Sequence, residues 1–302
     1  MSYQHLIDTA TAQGCGVTLQ APMSAATTFK VGGPADLLID LPHADAVSAV
    51  LAVCHAEEIP YLFIGNGSNL VVGDKGFRGA VLRLERSVQP TLLEDGRIYA
   101  PAGMSLQRLC LFARDHSLTG LEFAYGIPGA VGGAVYMNAG AYDGEMAQVV
   151  VSADCVAADG TPVTLSADQL HMTYRHTALM ERDLIVTGAT LQLQPGDYDT
   201  IWTKMKDLMA RRHDKQPLEY PSAGSFFKRP EGYFAGKLIQ DAGLKGFTVG
   251  GAQVSEKHAG FVINRGGATA ADLVELRNQV HDRVFAEFGV HLEPEVRFVG
   301  EF

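Results

Sequence analysis

Residues 61–72 read Tyr61-Leu62-Phe63-Ile64-Gly65-Asn66-Gly67-Ser68-Asn69-Leu70-Val71-Val72: an apolar run, a glycine loop and a second apolar run. The loop contains G-x-G, but Leu70 stands where the dinucleotide fingerprint wants its third glycine or alanine. Leu70-Val71-Val72 reads as a strand, where a Rossmann fold needs a helix. A doubly wound sheet is thereby disfavoured. A loop between two strands can still turn its N–H groups toward an anion, because glycine tolerates positive φ and close approach.

A second stretch of the same character, GIPGAVGGAVYMNAG, runs from Gly126 to Gly140. Two such loops suggest one extended phosphate-bearing ligand held from both sides, a dinucleotide more readily than a mononucleotide. A flavin dinucleotide fits, since Gly65, Gly67, Gly129, Gly132 and Gly133 would let the backbone approach its pyrophosphate. Tight turning without a ligand accounts for either loop alone, but poorly for both. A third stretch, PSAGSFFKRP at 221–230, reads as a buried serine loop.

Outward from these loops, helix and strand patterns alternate. Residues 35–41 predict a strand, and Asp45–Glu58 a helix with Val47, Val50, Leu51 and Cys54 at spacings of three and four. Residues 80–100 are β in pattern, and a helix is expected over Ser105–Ser117. Residues 148–165 read as strands turning at Asp159-Gly160, and Leu184–Leu193 as a further strand. Composition shifts near residue 197. A helix over Tyr198–His213 opens a second unit, which carries the serine loop, a helix near Tyr233–Ala242 and a strand over Gly260–Asn264. A long helix over Thr269–Phe288, stopped by Gly289, precedes a final strand in HLEPEVRFVG (291–300). The expected class is α+β with mixed or antiparallel sheets.

At 302 residues and 47% hydrophobic, the chain can bury a sizeable core in about two domains. A formal charge of −10 argues against nucleic acid or an anionic membrane as partner. Locally the balance reverses. Residues 211–245 hold Arg211, Arg212, Lys215, Lys228, Arg229, Lys237 and Lys245 against Asp214, Glu219, Glu231 and Asp241. That island could hold an anionic small molecule or be an ordinary solvated face. Cys15, Cys54, Cys110 and Cys155 lack metal spacing and read as small apolar residues in a reducing compartment. The polar start and the absence of a long apolar run point to a cytoplasmic protein that needs no metal and no membrane. P-loop, G-x-S-x-G and H-E-x-x-H patterns are absent.

Eight segments in order carry a resemblance: TTFKVGGPADLLID, FIGNGSNLVV, FAYGIPGAVGGAVYMNAGAY, YRHT, PSAGSFFKRP, AGKLIQDAGLKG, GAQVSEKHAGFVIN and LEPEVRFVG. Together they resemble the UDP-N-acetylenolpyruvoylglucosamine reductases, bacterial flavoenzymes that make a peptidoglycan precursor, over nearly the whole chain. The resemblance implies an FAD-binding region of the vanillyl-alcohol-oxidase type at 1–195, in subdomains of about 1–85 and 86–195. It further implies an α/β substrate-binding domain at 196–288, and a C-terminal strand at 289–302 returning to the flavin. FAD would be bound non-covalently by Gly65, Asn66, Gly67, Ser68, Asn69, Gly126, Ile127, Pro128, Gly129, Gly132, Gly133, Ala134, Asn138 and Gly140. No histidine lies in or beside the 65–76 loop to attach it covalently.

The family's reaction implies NADPH as co-substrate and a UDP-sugar bearing an enolpyruvyl ether as substrate. A hydride passes through the flavin to the vinyl β-carbon, and negative charge spreads from the α-carbon into the substrate carboxylate. Groups that meet charge developing there would accelerate the step. Arg175 matches the family's carboxylate-binding arginine, Glu295 its stabilising glutamate, and Ser225 the general acid that protonates the α-carbon. Tyr174, Arg212, Lys215, Arg229, His258 and Arg297 match substrate-binding positions. His258 stands where some relatives carry glutamine, and Arg229 where others carry asparagine. The chain matches a shorter subtype that lacks a tyrosine-bearing cap over the substrate, and no obligate protein partner is implied. Two other readings compete: a flavin oxidase of the same fold, and a non-catalytic nucleotide-binding protein.

Overall fold

The alternation of helix and strand expected along the chain recurs in the computed structural model, which describes residues 3–302. The chain packs as two compact units that interleave in sequence. The first takes residues up to Leu19, then 37–66 and 79–210; the second takes 20–36, 67–78 and 211–302. The chain therefore leaves the first unit at Asn66 and enters the second at Gly67, inside the first glycine loop.

In the first unit, Tyr61–Ile64 pairs in parallel with Ala80–Arg83. A five-stranded antiparallel sheet runs in the order Pro162–Ser166, Val150–Val156, Ile185–Leu191, Ile98–Pro101, Thr91–Leu92. The hairpin at Asp159-Gly160 is present, with Val156 opposite Pro162. Helix Ala44–Ala56 buries Val47, Val50, Leu51 and Cys54, and helix Leu106–Asp115 buries Leu106, Leu109, Cys110 and Ala113, so each apolar stripe is the buried face. The first glycine stretch is a loop, but the second contains a short helix, Val131–Tyr136. A further helix, Gln4–Ala12, forms from the polar start, where no element was expected.

In the second unit, an antiparallel sheet runs in the order Ser222–Ser225, Phe261–Asn264, Ala252–Val254, Thr248–Val249. The expected serine loop thus carries a strand at Ser222–Ser225 and is irregular over the rest of 221–230. The final strand is shorter than expected, Arg297–Val299, and pairs in parallel with Leu70–Val72. Helix Ala270–Phe288 packs Leu273, Leu276, Val280 and Val284 inward and ends at Gly289, whose φ is +67°. At its start Thr269 and Asp272 form a reciprocal capping box, and Asp74 accepts from the amides of Ala270 (2.8 Å) and Ala271 (2.9 Å). Phe29, Val31, Val71, Phe226, Phe227 and the stripe of that helix share one apolar core.

Packing divides the chain differently from the linear boundaries at 195 and 288. The division falls within helix Tyr198–Lys215, and two earlier segments join the later unit. Composition along the chain registers local shifts, whereas residues 20–36 and 67–78 are recruited by strand pairing and aromatic packing.

Candidate active site

The residues expected to carry chemistry form one constellation in each unit. In the first, Asn66 donates through Nδ2 to the Pro128 carbonyl at 2.8 Å, which ties the first glycine loop to the second. A Cβ on Gly65 would come within 3.1 Å of the Ala130 Cβ, and one on Gly132 within 2.8 Å of the Ala102 Cβ. Those two glycines serve close packing. Gly133 differs: it is exposed, and a Cβ there would meet nothing within 4 Å. The amides of Asn66, Gly67 and Ser68 donate to no protein atom among the described residues. Gly67 among them holds φ +61°, a conformation that favours glycine.

Gly126, Ile127, Pro128 and Gly129 form the turn before helix Val131–Tyr136, in which Gly132, Gly133 and Ala134 lie. Asn138 is fully buried, and its side chain is occupied by the fold. Its Nδ2 donates to Thr173 O (2.9 Å), and its Oδ1 accepts from Ala147 N (2.9 Å). Thr173 and His176 exchange backbone bonds across a two-residue corner, Tyr174-Arg175, and Thr177 Oγ1 donates to Tyr136 O. The corner is therefore fastened on both sides to the second glycine stretch.

Arg175 occupies the corner at φ +54°, a conformation that costs a non-glycine residue roughly 1–2 kcal/mol. Its guanidinium donates to Gly140 O at 3.1 Å and to Asn138 O at 3.4 Å, and lies over the Tyr174 ring, 5.1 Å from its centroid. Backbone strain stored under a charged side chain, with that side chain steered by carbonyls, is a pattern of functional sites.

In the second unit, Ser225 ends its strand after Gly224, whose φ is +77°, and the ladder to Phe261–Asn264 shifts register between Ser222 and Ser225. Ser225 is exposed, not buried as its loop was expected to be. Phe226 and Phe227 go inward instead, with Phe226 edge-on to Phe29, Phe227 and Phe298. Glu295 N donates to Phe226 O at 2.9 Å, so Glu295 lies beside the residue that follows Ser225. Asn69 joins them: its Nδ2 donates to Glu295 O (3.1 Å), and its carbonyl accepts from Arg297 N (3.0 Å). Asn69, Glu295, Arg297 and Phe226, the residue after Ser225, are thus linked by hydrogen bonds.

The basic island sorts itself. Lys228 pairs with Glu293, Lys237 pairs with Asp241, and Arg229 stacks on Phe234, 3.9 Å from the ring centroid. Burial, first, and then the charges of Lys245 and Lys215 hold the His258 pKa below its ordinary 6.5, against an opposing backbone hydrogen bond. Gly260 N donates to His258 Nδ1 at 3.1 Å, which makes Nδ1 the acceptor and assigns the proton of the neutral ring to Nε2. Gly260 O in turn accepts from Phe226 N, so the His258–Gly260 turn adjoins the Ser225 strand. Lys245 was one cation among seven in the sequence, and only the effect of its charge on His258 distinguishes it. Arg212, 9% exposed, lies buried on the same helix as Lys215. Among the described residues no group of His, Cys, Asp and Glu could hold a metal, and no helix is long and apolar enough to cross a membrane.

Comparisons with known proteins bear on these constellations. Residues 216–299 match the family model for the UDP-N-acetylenolpyruvoylglucosamine reductase C-terminal domain, and residues 35–166 match an FAD binding domain. A UDP-N-acetylenolpyruvoylglucosamine reductase of Clostridium botulinum is 50% identical over 285 residues, covering 94% of this chain and 93% of that protein. One from Agathobacter rectalis is 49% identical over 299 residues, with 95% of each covered. The crystal structure of UDP-N-acetylenolpyruvylglucosamine reductase from Thermus caldophilus superposes with a TM-score of 0.79 at 35% identity, covering 94% of this chain and 98% of that one. A glucooligosaccharide oxidase from Acremonium strictum shares the fold alone, at 11% identity and a TM-score of 0.51, covering 92% of this chain and 58% of that one.

Proposed function

The chain belongs to the UDP-N-acetylenolpyruvoylglucosamine reductase family, as an FAD-binding oxidoreductase, and on that premise we propose that it reduces the enolpyruvyl ether of a UDP-N-acetylglucosamine derivative to the lactyl ether, with NADPH as electron source. When bound, FAD supplies the hydride for the vinyl β-carbon. The residues present suit that cofactor: the open amides of Asn66, Gly67 and Ser68 match a diphosphate, and the empty space over Gly133 admits a ligand where a side chain would stand. Residues 1–195 with 289–302 then serve the flavin, and 196–288 the sugar nucleotide. The FAD-binding match at 35–166 supports the first range and the C-terminal-domain match at 216–299 the second, the latter running on through the final strand. A cytoplasmic location follows from the nucleotide substrates.

The protein's own groups perform the rest. As negative charge grows on the substrate carboxylate, Arg175 meets it with a planar fork suited to two oxygens, and Glu295 holds a proton against the enolate-like oxygen. Ser225, exposed at its strand end, gives its hydroxyl proton to the α-carbon. An alcohol is a weak acid, but the carbanion-like acceptor is a strong base, so the transfer runs downhill. Lys215, Lys245 and the Nε2–H of His258 bind the diphosphate and its neighbouring hydroxyls, with Arg212, Arg229, Tyr174 and Arg297 completing the substrate contacts.

The single observation that supports this reading is the backbone bond from Glu295 N to Phe226 O, which joins Glu295 to the residue that follows Ser225, while Asn69 of the first glycine loop donates to the Glu295 carbonyl. Anaerobic stopped-flow spectroscopy tests it. NADPH should bleach the flavin, and the enolpyruvyl UDP-sugar should restore its colour far faster than buffer does. Reoxidation by oxygen alone, indifferent to the sugar nucleotide, would make the protein an oxidase.

A further inference from the structure

We propose that Thr28 is a positioning residue, which holds the strand of Ser225 to the first glycine loop. The proposal rests on the reading of Ser225 as proton donor. Thr28 lies in neither glycine loop, nor in the Ser222–Ser225 strand, nor beside Glu295 in sequence. Its amide donates to Gly67 O at 3.1 Å, and its hydroxyl can reach two carbonyls, Ser222 O at 2.7 Å and Gly67 O at 3.4 Å. One hydroxyl carries one proton, and the shorter, better bond takes it. Thr28 therefore bridges Gly67 and Ser222 across 194 residues of sequence.

The position of that bridge matters. Ser222 pairs with Ile263 and Ser225 with Phe261, but the ladder is irregular between them. A strand of four residues with a register break is weakly held by its sheet, and the Thr28 hydroxyl binds it on the side the ladder leaves loose. Thr28 is itself firmly seated. The next residue, Phe29, is fully buried edge-on to Phe226, and its carbonyl accepts from Asn264 Nδ2 at 3.0 Å. A Cβ on Gly67 would overlap the Ala26 carbonyl oxygen, so the 26–28 segment lies directly on the loop. β-Branching restricts χ1 of Thr28 and limits the wandering of its hydroxyl.

The second side of the loop is tied by Asn69 to Glu295, and Glu295 to Phe226. Thr28, Gly67, Asn69, Glu295, Phe226 and Ser222 thus close a ring of hydrogen bonds and backbone within the second unit. Its consequence is geometric: the segment that binds cofactor and the residue that gives the proton are set at a fixed spacing. Misplacement of a reacting group by about 1 Å can cost on the order of 100-fold in rate.

The test compares holoenzymes with Thr28→Val, which keeps the shape and removes the hydroxyl, and Thr28→Ser, which keeps the hydroxyl. Flavin bleaching by NADPH should stay within about twofold in both, with an unchanged visible flavin spectrum. Recolouring by the enolpyruvyl UDP-sugar should slow about tenfold or more in Thr28→Val, with a larger solvent deuterium isotope effect, and recover to within about threefold in Thr28→Ser. Amide exchange at residues 222–226 should quicken in Thr28→Val only. Equal slowing of both half-reactions, a wild-type recolouring rate, or no recovery in Thr28→Ser overturns the proposal. If Thr28→Val does not retain FAD, apo Thr28→Ala and Thr28→Ser are compared by amide exchange. Equal protection at 222–226 then overturns it, and loss in Thr28→Ala alone supports it. A wild-type enzyme that ignores the enolpyruvyl UDP-sugar defeats the reductase reading instead, and the exchange comparison still judges the hold of Thr28 on the strand.

Discussion

Ser225 illustrates how a residue proposed for chemistry can contribute little to folding. It is exposed, and the neighbouring core is filled by Phe226 and Phe227. Ser225→Ala should therefore change unfolding free energy by no more than about 0.5 kcal/mol. We expect NADPH to bleach its flavin at close to the wild-type rate, with recolouring by the sugar nucleotide slowed about 10²–10⁴-fold. Equal slowing of both steps would remove Ser225 from the role of acid. Arg175 presents the opposite case, a charged side chain kept at φ +54° by a corner fastened at Thr173 and Thr177. The types of both residues were legible in YRHT and PSAGSFFKRP. The strain under Arg175 and the exposure of Ser225 were not, because both depend on hydrogen bonds to residues distant in sequence.

Among the elements, the short helix Val131–Tyr136 is the most diagnostic. Its glycines are not equivalent, since Gly132 is needed for packing against Ala102, whereas nothing in the protein requires Gly133. Gly133→Ala should stabilise the apo protein by about 0.5–1 kcal/mol through helix propensity and a less flexible unfolded chain. The same change should weaken FAD binding, measured by titration of flavin absorbance or fluorescence. Unchanged FAD affinity would place the cofactor away from this turn. Helices and strands were largely readable from apolar periodicity, as Val47, Val50, Leu51 and Cys54 or Leu273, Leu276, Val280 and Val284 demonstrate. The helix inside the second glycine stretch escaped because its glycines and small residues carry no amphipathic signal. The final strand came out short because only Arg297–Val299 finds a partner, Leu70–Val72.

For the molecule as a whole, His258 gives stability a pH dependence. Burial and two lysines lower its folded pKa beneath 6.5, so below that pH the unfolded chain binds the proton more readily. The stability associated with the neutral ring is complete above pH 6.5 and is lost as pH falls from there through the lowered folded value. Between pH 7.5 and 5.5, wild type should lose more thermal stability than His258→Gln, as followed by circular dichroism. Identical losses would show that the ring titrates alike in both states. The residue pattern alone determined the α+β class, most elements, the two glycine loops and the family, because periodicity and short motifs are local properties of a chain. Only the tertiary structure decided that residues 20–36 and 67–78 pack with 211–302, that Glu295 bonds to Phe226, and that Thr28 reaches Ser222. The physical reason is that these depend on long-range strand pairing and buried aromatic contacts, whose partners leave no mark on one another in the linear order of residues.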